Sequence, residues 1–262
     1  MTPPSAVPSS EPRADDDFYI GYDPPMPSGV ATRVGRMVAA TAVVAFVTAA
    51  GALAAHRRLA PAAFDYGRPQ AVTGVLRRTP YPALRTASGD VLLVGRGKAG
   101  AEASTAGVPD GPVTLDGTRI ERRGRRMVEV VPGSVRVGVG HDAGPAAAGA
   151  DGAAPAPSAE VTLRGEIVDS KCFLGVMNPG EGTVHRDCAR VCLRGGIPPM
   201  LLVRGAPAEE ALVLLVDASG RPVGRQLAAL AGVPVEIRGR LTRGGDQPVL
   251  AVDPAAVVRL TR

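Results

Sequence analysis

A mainly β fold is predicted: a single N-terminal transmembrane helix followed by two small five-stranded β-barrels, the second interrupted by a short helical insertion. Three observations lead there. Residues 37–55 form one uncharged apolar stretch near the N-terminus. The chain beyond it runs twice through the same order of short Val/Leu strands with a mid-strand glycine. All three cysteines and one of the three histidines fall inside the insertion of the second run.

Residues 1–36 read as a disordered tail, rich in Pro and Ser and carrying the acidic run Asp15, Asp16, Asp17. Within it FYIGYDPPMP places Phe18, Tyr19 and Tyr22, three of only eight aromatic residues, side by side. Such a cluster is expected to dock on a protein partner or on the lipid surface. The segment MVAATAVVAFVTAAGALAA, 37–55, matches one pass through a hydrocarbon core of about 30 Å. Nine of its nineteen residues are Ala, so a signal peptide cut near Ala52 to Ala54 is the alternative to a retained anchor. Arg33 and Arg36 precede the span and Arg57, Arg58 and Arg68 follow it, a balance that decides orientation poorly. The C-terminal part is expected outside the cytoplasm of a bacterial cell, because long domains translocate largely regardless of small charge biases.

The first β domain is expected over 62–139, with strands at AVTGVL (71–76), VLLVG (91–95), GPVTLDGTRI (111–120) and MVEVV (127–131). The second is expected over 161–262, with VTLRGEI (161–167), MLLVR (200–204), GVPVEIRGRL (232–241) and VLAVD (249–253) in the same order. A Gly, Ala and Pro linker, 140–160, separates them. Glycine inside a Val/Leu strand relieves crowding where a coiled strand turns a barrel corner. Two small barrels most like the OB-fold are therefore predicted, with a single β-sandwich as the rival.

The insertion, 169–199, carries the chemistry. Val184 to Arg194 is predicted helical, with Gly182 and Thr183 as its entry and Gly195, Gly196 and Pro198 as its stop. Cys188, Cys192, His185 and Val191 fall on one face, and Arg186, Arg190 and Arg194 on the other. Cys172, His185, Cys188 and Cys192 are the candidate metal ligands, with Asp169 behind them to orient His185 or to act as a hard ligand. His185 and Cys192 lie seven residues apart, a rise of about 10.5 Å in a straight helix. One ion would then use Cys172 and Cys188 with either His185 or Cys192, unless the helix begins late and His185 folds back. A zinc or copper ion fits the donor types. A disulfide from Cys172 to Cys188 or Cys192 is the other outcome, since thiols outside the cytoplasm are commonly oxidised.

The pattern G-E-I-V-D-x-x-C at 165–172, followed by H-x-x-C-x-x-x-C at 185–192 and V-x-I-x-G at 235–239, resembles a family of bacterial membrane-anchored, exported OB-like barrel domains. The resemblance covers about 165–240 by specific motifs and implies the fold and an exported setting. It brings no reaction with it.

Several classes of function are set aside. The net charge of +5 is diffuse, so no nucleic-acid partner is expected. Covalent haem lacks its C-x-x-C-H motif. GRGKAG, 95–100, lacks phosphate-loop spacing and reads as a β-turn. Lys98 and Lys171, the only lysines, read as solvated charges. Two readings remain: a membrane-anchored accessory or binding module, of a membrane or respiratory complex, with a structural Cys/His site, or a protein that handles metal or electrons through those residues. No catalytic residues are identified.

Overall fold

The computed structural model describes residues 27–57, 62–138, 157–207, 211–244 and 247–261. The aromatic motif at Phe18, Tyr19 and Tyr22 lies outside the described residues, as does nearly all of the linker expected at 140–160. Two units divide between Leu59 and Ala60. In the first, helix α1 (Ser28–Arg57) is 30 residues long with no residue buried, and it is long and apolar enough to cross a membrane.

In the second unit the chain forms β1 (Ala62–Phe64), β2 (Gln70–Arg77), β3 (Ala83–Thr86), β4 (Gly89–Val94), β5 (Gly111–Arg122), β6 (Arg125–Val130) and β7 (Arg136–Val137). It continues through β8 (Ser158–Asp169), a helical turn (Cys172–Val176), a 3-10 turn (Thr183–His185) and α2 (Arg186–Arg194). The remainder is β9 (Pro199–Val203), β10 (Leu212–Asp217), α3 (Gly224–Leu227), β11 (Pro234–Thr242), β12 (Val249–Val252) and β13 (Val258–Arg259).

Two closed barrels result, with one topology. In the first, β5, β2, β3, β4 and β6 pair in that order and β6 closes back onto β5; every pairing is antiparallel except β4 with β6. In the second, β11, β8, β9, β10 and β12 repeat the order, with β10 and β12 the parallel pair. The correspondence extends to the glycines. Gly74 faces Val113, four residues before Gly117, and Gly165 faces Val235, four residues before Gly239. A Cβ at Gly74 would lie 2.7 Å from the Arg85 carbonyl oxygen, and those at Gly165 and Gly239 would press into the Leu202 and Ala251 carbonyls. The small barrels close only because these positions carry no side chain.

One alignment of the two copies needs correction. VLLVG is strand β4, equivalent to β10, whereas MLLVR is β9, equivalent to β3. The barrel strands missed were β3, only four residues long behind Pro80 and Pro82, and β10, Leu212–Asp217; the short flanking strands β1, β7 and β13 were not expected either. Strands β3 and β10 lack the punctuating glycine that made their neighbours legible.

Each barrel has its own core, around Leu76, Leu84 and Leu115 in the first and Ile167, Leu215 and Ile237 in the second. A third apolar layer joins them. Tyr81, Leu92, Ile120 and Met127 of the first barrel pack with Val168, Met200 and Leu214 of the second and with Cys172, Phe173, Cys192 and Ile197 of the insertion. The insertion is therefore the filling of the inter-barrel joint.

Candidate metal centre

Asp169 ends β8 and begins the construction of the site. Its Oδ1 accepts the Cys172 backbone N–H at 2.9 Å, fixing the turn that carries the first cysteine. Its Oδ2 lies 2.9 Å from His185 Nε2, and both residues are buried. With Nε2–H donated to the carboxylate, the ring keeps its lone pair at Nδ1, the carboxylate–histidine arrangement found behind metal-bound imidazoles. The α-helix begins only at Arg186, and His185 sits in the preceding 3-10 turn. His185, Cys172 and Cys188 offer ligand atoms all within 4.8 Å of one another, the expected arrangement in which His185 joins the first two cysteines. Cys192, one turn on, joins a second such group with Cys172 and Asp169.

The sulfur positions discriminate between bonds. Cys172 Sγ is 3.9 Å from Cys188 Sγ and 4.0 Å from Cys192 Sγ, and all three thiols are free. A disulfide needs about 2.05 Å, so the expected Cys172 bridge to Cys188 or Cys192 is not formed. A tetrahedral ion with metal–sulfur bonds of about 2.3 Å separates two sulfurs by about 3.8 Å, close to what the chain provides.

Both lysines belong to this joint: Lys98 is exposed, as expected of a solvated charge, whereas Lys171 is buried, contrary to that expectation. Lys98, in the loop after β4, donates from Nζ to Cys188 Sγ at 2.7 Å and lies 3.7 Å from Cys192 Sγ. Lys171, beside the first cysteine, is 2 % exposed and reaches the other way. Its Nζ donates to the carbonyls of Gly95 (2.8 Å) and Gly97 (2.7 Å) and to Glu129 Oε2 (2.5 Å). GRGKAG is a turn, as expected, but one bolted between barrels: Gly100 N–H donates to Gly195 O at the end of α2. Rarity was the available signal, because a chain with thirty basic residues and two lysines places both here.

Electrostatics follow from this packing. The hydrogen bond with Cys192, burial and the Asp169 carboxylate push the Cys172 thiol well up. The same hydrogen bond, with Lys98 adding its charge, draws Cys192 down. The bond to Cys188 holds Lys98 above its ordinary value. Cys172, Cys192 and His185 are enclosed, while Cys188 is half-buried under the exposed Lys98, which makes that edge the solvent side of the cluster. Val191, expected on the cysteine face, is 48 % exposed; Ala189 and Leu193 take the inward positions. Of the arginine stripe, Arg194 is exposed and Arg186 and Arg190 are half-buried. The cluster can hold a metal ion. No family model matches the chain, and no curated protein or solved structure matches it either.

Proposed function

We propose that the protein is a membrane-tethered, extracytoplasmic binding module whose two barrels are locked together by one structural zinc ion held by Cys172, His185, Cys188 and Cys192. The observation that carries this reading is the pair of sulfur separations, which suit an ion and not a disulfide. The charge balance agrees: three thiolates and a neutral imidazole leave a zinc centre with one net negative charge, and the Lys98 ammonium lies against it. Enclosure in the joint favours an ion that is held over one that is passed on. In this reading the joined barrels present a surface to a partner in the membrane or envelope, with Phe18, Tyr19 and Tyr22 as a second point of attachment.

The test is elemental analysis with thiol counting on the full chain purified in detergent. One zinc per chain is expected, with the thiols titrating only after denaturation and chelation, and with the metal lost in Cys172→Ser and His185→Ala. Stoichiometric copper passing readily to a soluble chelator would replace the structural reading with metal handling. Thiols that appear only after reduction, without metal, would replace it with redox chemistry. For orientation, a cysteine placed in 140–160 is expected to react with an impermeant thiol reagent on intact cells, and one placed in the first thirty residues to be spared.

A further inference from the structure

A cavity of about 640 Å³ opens between the barrels, and none of the Cys/His residues lines it. Its size is that of a small-molecule site, roughly 300–1,000 Å³. Its lining is divided by chemistry. Five arginines line it: Arg85 is ion-paired with Asp90 at 3.0 Å, Arg77 and Arg125 have partners of their own, and Arg123, over the Phe173 ring, and Arg126, bonded to Ser88, meet no carboxylate among the described residues. The remaining lining includes the apolar side chains of Leu92, Leu214 and Val249. Arg126 is held in place by donating from Nη1 to Ser88 Oγ at 2.6 Å.

The turn that supplies Arg123 is a second observation. Residues 123 and 124 join β5 to β6 with φ of 53° and 72°, a two-residue hairpin loop that ordinarily selects Asn-Gly or Asp-Gly. Gly124 suits it. Arg123 occupies the left-handed position without the local hydrogen bonding that favours Asn or Asp there, and residues in such conformations cluster at ligand sites. The chain thus accepts an unfavourable residue at the one turn position that adds a further guanidinium to the cavity.

We propose that this cleft binds an anionic amphiphile, a phosphate or carboxylate group against Arg123 and Arg126 with an acyl or aryl body against Leu92, Leu214 and Val249. Arginine suits planar, bidentate recognition of such anions. A nucleic acid fits less well. Single strands need exposed aromatic platforms, and the one aromatic among the described lining residues, Tyr81, is buried with its hydroxyl bonded to Leu215 O and Val223 N.

The experiment uses the full chain in phosphatidylcholine nanodiscs, with the fluorescent arylsulfonate 8-anilinonaphthalene-1-sulfonate as probe. Saturable binding at one site is expected, displaced by decyl phosphate at concentrations at least tenfold lower than by inorganic phosphate. Arg126→Gln should weaken the probe at least tenfold. Arg123→Asn should do the same, and because Asn suits the turn it removes the charge without harming the fold. Arg194→Gln, at an exposed position of α2 that does not line the cleft, should change it less than twofold. Phosphatidylglycerol vesicles added as competitor distinguish the source: displacement identifies a lipid headgroup, and none identifies a soluble amphiphile, both within the proposal. Equal potency of inorganic and decyl phosphate, displacement by oligothymidylate as effective as by decyl phosphate, or indifference to both arginine substitutions at the cleft would overturn it.

Discussion

Lys171→Met gives the most direct measure of how the barrels are held together. The wild-type ammonium, 2 % exposed, satisfies two carbonyls and the Glu129 carboxylate, itself 14 % exposed on its side chain. Methionine keeps the length and the packing but supplies no donor, so a nearly buried carboxylate and two carbonyls lose their partner together. Removing one member of such a pair costs about 3–5 kcal/mol. In a unit of this size each kcal/mol lowers the melting temperature by about 2–4 °C, giving a fall of roughly 6–20 °C. Thermal unfolding of the full chain, followed by circular dichroism, measures it. Glu129→Gln in the Lys171→Met background removes the stranded charge and should restore part of the loss, so the pair of variants separates a charge effect from a packing effect. A fall of less than about 2 °C, or a double variant no more stable than the single, would show that the ammonium does not clamp the joint.

Asp169→Asn should lower zinc affinity about 10- to 100-fold in competition with a chelator, because the amide no longer fixes the His185 tautomer as the carboxylate does; unchanged affinity would remove Asp169 from the site. Tyr81→Phe should cost about 1–3 kcal/mol at neutral pH, since it leaves the buried Leu215 carbonyl and Val223 N–H unpaired. Burial, opposed by the Val223 bond and aided by Glu102 and Asp217, raises the Tyr81 hydroxyl above its ordinary value of 10.0. The folded chain therefore keeps a proton that the unfolded chain loses, and the contribution of Tyr81 should be full below about pH 10 and fall by about 1.4 kcal/mol per unit above it. Denaturant unfolding at pH 9 and pH 11 tests this, and an equal loss in wild type and Tyr81→Phe would contradict it.

Sequence periodicity and composition determined the long apolar helix, the two β repeats and the residues of the cluster. Each of these is a local property: an uncharged run, alternating Val and Leu around a glycine that close strands require, and cysteine and histidine at helical spacing. The grouping of His185 with Cys172 and Cys188 was legible only as one of the arrangements the spacing allowed. Tertiary structure alone decided where the cluster sits. The apolar layer formed by Tyr81, Leu92 and Met127 with Leu214 and Phe173 brings residues more than 80 positions apart into contact. Only that docking carries Lys98 to the sulfurs and buries Lys171 against Gly95, Gly97 and Glu129. A lysine followed along the chain looks solvated because its neighbours in sequence are polar or small; its partners come from the other barrel, and no local pattern records them. Strands β3, only four residues behind two prolines, and β10, an apolar run with no punctuating glycine, carried no signature of their own.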